Sequence, residues 1–154
     1  MFDPEPIPVD SPIRQIHAVG LPVLSAKADI AHVRVEFDNG CVANLTASRV
    51  STEKIRKLRF FQPRQYISVD YSRQDGAIFS VSPSNQIAFE PLPVERGEPL
   101  QREMAAFLQS VRSRQAGGVS GEEGRRALAV ALRIMEEMES HARVVAATIA
   151  GQGR

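Results

Sequence analysis

Cysteine is all but missing from this sequence: Cys41 stands alone among 154 residues. A single thiol excludes an intramolecular disulfide and fits a reducing compartment, so the cytoplasm is the expected location. An excess of one charge is missing too. Lys and Arg number 19 and Asp and Glu 18, a net charge of +1, so no global field draws the chain to nucleic acid. No apolar run approaches the roughly 18 residues of a membrane span, and no membrane partner is expected. The opening MFDPEPIPVDSP is acidic and proline-rich, unlike a signal peptide. At 43% hydrophobic and 24% charged residues, the composition suits a folded chain rather than a disordered one.

The signatures of several chemistries are also missing. No G-x-G-x-x-G occurs. Gly117-Gly118-Val119-Ser120-Gly121 is glycine-rich and precedes a helix, but it follows a helix and lacks the phosphate-loop lysine. It reads as a loop and a helix cap. His17, His32 and His141 show no ligand spacing with Cys41 or nearby carboxylates, so no metal site is expected. Cys41 opens a strand and reads as a buried, inert thiol. Ser48 and Ser51 have no identifiable partner base, and no nucleophile elbow is present, so no catalytic nucleophile is assigned. Lys54-Ile55-Arg56-Lys57-Leu58-Arg59 is the one basic cluster. Its charges straddle both faces of a strand, so it builds no single phosphate patch and no nucleic-acid partner is expected.

What the chain does have is the block ADIAHVRVEFDNGCVANLTASRVSTEKIRKLRFFQPRQYISVDY, residues 28–71. It alternates apolar and polar positions through four strands: Ile30 to Phe37, Cys41 to Ser48, Ile55 to Gln62 and Tyr66 to Tyr71. Asp38-Asn39-Gly40 is a hairpin signal, because Asn-Gly tolerates the positive φ of a tight turn. A strand over Ile13 to Ala18 precedes the block, interrupted at Gly20-Leu21-Pro22 and resumed at Val23-Leu24. Weaker strands follow at Ala77 to Val81 and Gln86 to Glu90, joined by the turn Ser82-Pro83-Ser84-Asn85.

After Pro91 the apolar period lengthens to about 3.6. Pro99 opens a helix with the stripe Leu100, Met104, Phe107, Leu108 and Val111, and Gly117-Gly118 stops it. Ser120-Gly121-Glu122-Glu123 is a capping box that starts a longer helix. Leu128, Ala131, Met135, Met138, Ala142, Val145 and Ile149 form its seam, expected to cover the sheet. Strands first and helices after predict an α+β fold, a mostly antiparallel open sheet of about six to seven strands with two C-terminal helices packed on one face. Residues 1–12 are expected as an extended proline-rich arm, 13–150 as a single domain and 151–154 as a frayed tail.

The other sheet face is chemically rich. His32, Arg34, Glu36, Asn44, Lys57, Arg59, Tyr66 and Asp70 are the candidates there for an interface or for the wall of a substrate cleft. Exposed charge pairs among them would be worth at most about 1 kcal/mol each. Their mixed signs suit a self-complementary two-fold contact, so a homodimer through this face is expected.

Residues 28–71 resemble the C-terminal domain of the glucose-fructose oxidoreductase / inositol dehydrogenase / MocA (Gfo/Idh/MocA) oxidoreductase family, above all its bacterial sugar dehydrogenases. The segment EPLQREMAAFLQSVRSRQAGGVSGEEGRRALAVALRIMEEM resembles that family's ending: a helix, a loop of the form VSGEDG and a last helix. The resemblance implies an N-terminal Rossmann domain that binds NAD(P). It also implies a C-terminal sheet that walls the sugar pocket and often joins subunits. The family's catalytic lysine sits in a Glu-Lys-Pro motif and its catalytic histidine on a helix before the sheet. Here no Glu-Lys-Pro occurs and His17 lies in a strand pattern, so no catalytic residue carries over.

Hydride transfer needs a bound nicotinamide. The expectation is therefore the substrate-side and oligomerisation domain of an NAD(P)-dependent sugar oxidoreductase. As an isolated chain it would be inactive and bind no cofactor, with a separate or missing Rossmann domain supplying NAD(P). The alternative is a stand-alone dimerising or small-ligand-binding sheet module without catalysis.

Overall fold

The computed structural model describes residues 10–115 and 118–152. Most of the expected arm (residues 1–9), Gly117 and residues 153–154 lie outside the described residues, as does the side chain of Ile149. Seven antiparallel strands and two helices follow one another in the expected α+β order. The strands form two sheets, one of three strands and one of four. The described residues fall into two compact units, residues 10–51 with 118–152 and residues 52–115.

The first unit holds β1 (Ile13–Leu21), β2 (Ile30–Phe37), β3 (Val42–Ser48) and α2 (Gly121–Gln152). β1 runs unbroken through Gly20 and ends before Pro22, so the expected interruption and resumption do not occur. Gly20 is tolerated because it faces the helix: a Cβ there would stand 2.9 Å from Met138 Sδ and 3.0 Å from Ala28 Cβ. The register shifts between Ile13 and Gln15, leaving Arg14 as an extra residue in the strand. The β2–β3 turn places Gly40 at φ +83°, the left-handed region that glycine occupies without steric cost. Cys41 lies just before β3 and is half-buried rather than fully buried.

Among the described residues, Ile16, Ala18, Val33 and Val35 are the buried apolar ones, all on one face of this sheet. Val130, Ile134 and Met138 of α2 pack against them, together with Ile13, Phe37 and Ala43. This corrects the expected seam. Met138 belongs to both sets, but Leu128 and Met135 are 61% and 52% exposed. α2 carries two overlapping apolar stripes, and the one beginning at Val130 meets the sheet. The capping box forms as expected: Ser120 Oγ accepts from the Glu123 N–H at 3.2 Å, and Glu123 Oε2 accepts from the Ser120 N–H at 2.7 Å.

The second unit holds β4 (Lys57–Gln62), β5 (Gln65–Asp70), β6 (Asp75–Val81), β7 (Ile87–Pro91) and α1 (Pro99–Ser113). Consecutive strands pair in a meander. β4 starts at Lys57 rather than Ile55. Glu98 caps α1, its carboxylate accepting from the Gln101 N–H at 2.7 Å. α1 buries none of its residues, so its apolar stripe does not pack as the expected helix layer would. The segment leading to α1 is tied to the β5–β6 turn by Gln74. Its side chain accepts from the Gly97 N–H (2.8 Å) and donates to the Gly97 carbonyl (2.7 Å). No described helix is long and apolar enough to cross a membrane.

Candidate functional site

The eight candidate side chains do not share one sheet. His32, Arg34, Glu36 and Asn44 stand on the three-stranded sheet; Lys57, Arg59, Tyr66 and Asp70 stand on the four-stranded one. β4 pairs with β5 and not with β3, and residues 49–56 between β3 and β4 carry no strand.

On the three-stranded sheet the candidates project from the face opposite Val33 and Val35, as strand alternation requires. Arg34 lies opposite His17 on β1 and Asn44 on β3, and His32 opposite Thr46. His32 Nδ1 is 3.2 Å from Thr46 Oγ1. Glu36 accepts from Arg34 Nε and Arg14 Nη2, both at 3.1 Å. The extra residue in β1 is what brings Arg14 into this pairing. The Arg34 hydrogen bond, then that of Arg14, holds the Glu36 carboxyl below its usual range, against a smaller opposing effect of burial. Two guanidiniums on one carboxylate leave this face with more donors than acceptors. It can hold hydroxyls or an anion.

On the four-stranded sheet, Lys57 pairs with Asp70 at 3.4 Å. Asp70 is 8% exposed and also accepts from the N–H groups of Ser72 (2.9 Å) and Arg73 (3.0 Å). The Arg73 N–H chiefly, with Ser72 and Lys57, holds its carboxyl below the ordinary value while burial opposes. Asp70 thus fastens the turn after β5. Tyr66 stands in an aromatic row. Its ring stacks on Phe61 at 4.8 Å and on Phe79 at 5.5 Å, and Phe79 meets Phe89 at 5.2 Å. Beside it, Arg64, Gln65, Tyr66, Phe79, Val81 and Ile87 line an open depression of about 400 Å³.

Two groupings escaped the sequence reading. The aromatic row needs the register of four strands, which no local pattern supplies. The other is a clasp around Asp29, 4% exposed. Its carboxylate accepts from the N–H groups of Val23 (2.8 Å), Leu24 (2.6 Å) and Ser25 (3.0 Å), and from Arg49 Nε. The Leu24 and Val23 N–H groups lead in driving its carboxyl far below the usual range, against the effect of burial. A carboxylate so satisfied fixes the loop after β1 and is no general base. The only signal in the sequence is an aspartate four residues after a serine, before a strand. Among the described residues, no three His, Cys, Asp or Glu side chains could hold a metal.

The chain matches the C-terminal part of oxidoreductases of the Gfo/Idh/MocA type. No family model matches it. UDP-N-acetylglucosamine 3-dehydrogenase of Acidithiobacillus ferrooxidans is 32% identical over 130 residues, which cover 81% of this chain and 42% of that protein. The solved structure of that dehydrogenase, GnnA, agrees with a TM-score of 0.76 at 31% identity, over 84% of this chain and 42% of its own. Levoglucosan dehydrogenase in complex with NADH and levoglucosan shares the fold at a TM-score of 0.69 and 14% identity, over 82% of this chain and 42% of its own. The chain thus spans about four-tenths of the length of the relatives it matches.

Proposed function

We propose that this chain is the substrate-side and oligomerisation part of an NAD(P)-dependent oxidoreductase acting on a sugar or nucleotide sugar. The observation that carries this is the 32% identity, over 130 residues, to a UDP-N-acetylglucosamine 3-dehydrogenase. In this reading the donor-rich face of the three-stranded sheet, with His32, Arg34 and Asn44, stands along the sugar site. The face bearing Arg59 and Tyr66 meets another copy. Glu36 and Asp70 hold neighbouring groups in place, Glu36 the two arginines and Asp70 its turn and Lys57. The nicotinamide is held by a nucleotide-binding domain that is not among these residues, so the chain alone neither binds NAD(P) nor transfers hydride. The cytoplasm is the proposed compartment.

Calorimetric titration of the full chain with NADH and NADPH tests this. No saturable heat is expected, and micromolar affinity for either would refute the reading. A second arm joins the chain to a nucleotide-binding domain and assays oxidation of UDP-N-acetylglucosamine. There Arg34→Ala should raise KM about tenfold or more, with a smaller change in kcat.

A further inference from the structure

The sequence holds three asparagines, and their surroundings differ. Asn44 lies within β3, opposite Arg34 and ahead of Leu45. Asn85 precedes Gln86 in the β6–β7 turn, where its side-chain oxygen accepts from Arg64 Nη2 at 3.2 Å. Asn39 alone precedes a glycine, Gly40, in the β2–β3 turn. Asp38, Asn39 and Gly40 are all exposed. A Cβ on Gly40 would meet nothing within 4 Å, so the space beside that peptide is open. The Asn39 N–H donates to Ser11 Oγ at 3.1 Å, and Asn39 Oδ1 accepts from the Cys41 N–H at 3.0 Å. The second bond curls the side chain past the Gly40 peptide to reach the residue beyond it. It also polarises the side-chain carbonyl: Oδ1 is the oxygen on which negative charge grows when Cγ is attacked, and a fixed N–H already points at it.

We infer that Asn39 is a site of spontaneous covalent modification. The Gly40 amide nitrogen gives its proton to hydroxide and attacks Asn39 Cγ. The new bond joins that nitrogen to Cγ, and the oxyanion on Oδ1 is held by the Cys41 N–H. The side-chain nitrogen takes a proton from water, its bond to Cγ breaks, and it leaves as ammonia. The product is a five-membered succinimide ring. Water then opens the ring at one of its two carbonyl carbons. Attack at Cγ restores the main chain and leaves aspartate. Attack at the main-chain carbonyl carbon leaves isoaspartate, in which the backbone runs through the side chain. Nothing is oxidised or reduced, and each product replaces an amide by a carboxylate.

One bond opposes the attack. The Gly40 N–H donates to the Phe37 carbonyl at 3.0 Å and closes the turn, so its nitrogen reacts only while that bond is open. Conversion therefore passes through local opening of the hairpin end and is slower than in an unfolded chain. Gly40 eases the rotation that the opened peptide must make, because it carries no side chain. Isoaspartate adds one backbone atom to the β2–β3 connection. The strain falls on the strand end beside the turn, where Glu36 lies opposite Val42. Glu36 is the carboxylate that holds Arg14 and Arg34. The modification thus loosens the end of the three-stranded sheet that carries these two guanidiniums.

The test incubates the full chain folded, at neutral and at mildly alkaline pH, beside the same chain unfolded in guanidinium chloride. Peptide mapping by mass spectrometry, with fragmentation that separates isoaspartate from aspartate, reads each asparagine, and released ammonia is assayed in parallel. In the folded chain both products should accumulate at Asn39 while Asn44 and Asn85 stay intact. The rate should rise in proportion to hydroxide and stay below that of the unfolded chain. Asn39→Gln, at an exposed turn position, should stop the release, because its longer side chain would have to close a six-membered ring; far-ultraviolet circular dichroism checks that it folds. The denaturation midpoint should fall on incubation of the wild type and not of Asn39→Gln. Asn39 left intact in the folded chain after the unfolded chain has converted, or conversion at Asn44 or Asn85 ahead of it, would overturn the assignment. An unshifted midpoint in chain that carries isoaspartate would overturn the loosening of the sheet.

Discussion

The two sheets are built from strands of similar length and similar alternation, yet they end in opposite conditions. The three-stranded sheet carries, under α2, all four buried apolar residues among those described. In the four-stranded sheet the only buried residue among those described is Asp70, a turn-fastening carboxylate. The difference lies in the helix available to each. The 32-residue α2 lays Val130, Ile134 and Met138 on one sheet, whereas the 15-residue α1 buries nothing. Alternation alone makes a strand; a covering layer makes a core. The exposed aromatics of the second sheet are the apolar surface that the proposed contact with another copy would cover.

The sharpest way to break this comparison is to truncate one apolar residue in each sheet. Val35→Ala, at 3% exposure, should cost about 2 kcal/mol in chemical denaturation, by lost burial and a residual cavity. Phe61→Ala removes more atoms, but at 75% exposure it should shift the monomer's stability by less than about 0.5 kcal/mol. Equal losses at the two positions would mean that both sheets are covered.

The helix-to-sheet contact can be sharpened at Gly20. Gly20→Val should cost about 1–2 kcal/mol, because its side chain enters the space held by Met138 and Ala28. A double-mutant cycle with Met138→Ala should show coupling, whereas additive losses would deny that the two positions share this contact.

Asp29 offers the most specific effect. Its folded carboxyl titrates far below the unfolded value of about 3.9. The stability it contributes is therefore complete above that unfolded value and is lost as pH falls toward the folded one. Asp29→Asn should lower the thermal midpoint at neutral pH and flatten the acid limb of the stability curve. An unchanged acid limb would show that the clasp is not formed in solution.

Much of this was legible in the sequence, and the exceptions share a cause. Alternation gave Ile30–Phe37 to its ends, Asp38-Asn39-Gly40 marked its turn, and Ser120 with Glu123 marked the last helix start, since each depends on neighbours a few residues apart. The division into two sheets was not legible, because nothing near Ser51 states whether β3 and β4 will pair. The sheet-facing stripe of α2 was misplaced because Leu128 and Met135 compete with Val130 and Ile134 for the same periodicity. Of the candidate residues, the side on which each would project followed from period two. That Asp70 serves a turn, or that Tyr66 belongs to a four-ring row, depended on register and on loop hydrogen bonds.

Amide hydrogen exchange on the full chain, measured over a series of protein concentrations, tests the contrast most directly. Protection across β1–β3 should be high and independent of concentration, whereas protection across β4–β7 should be lower in dilute protein and rise as the protein is concentrated. Equal, concentration-independent protection in both sheets would contradict the account.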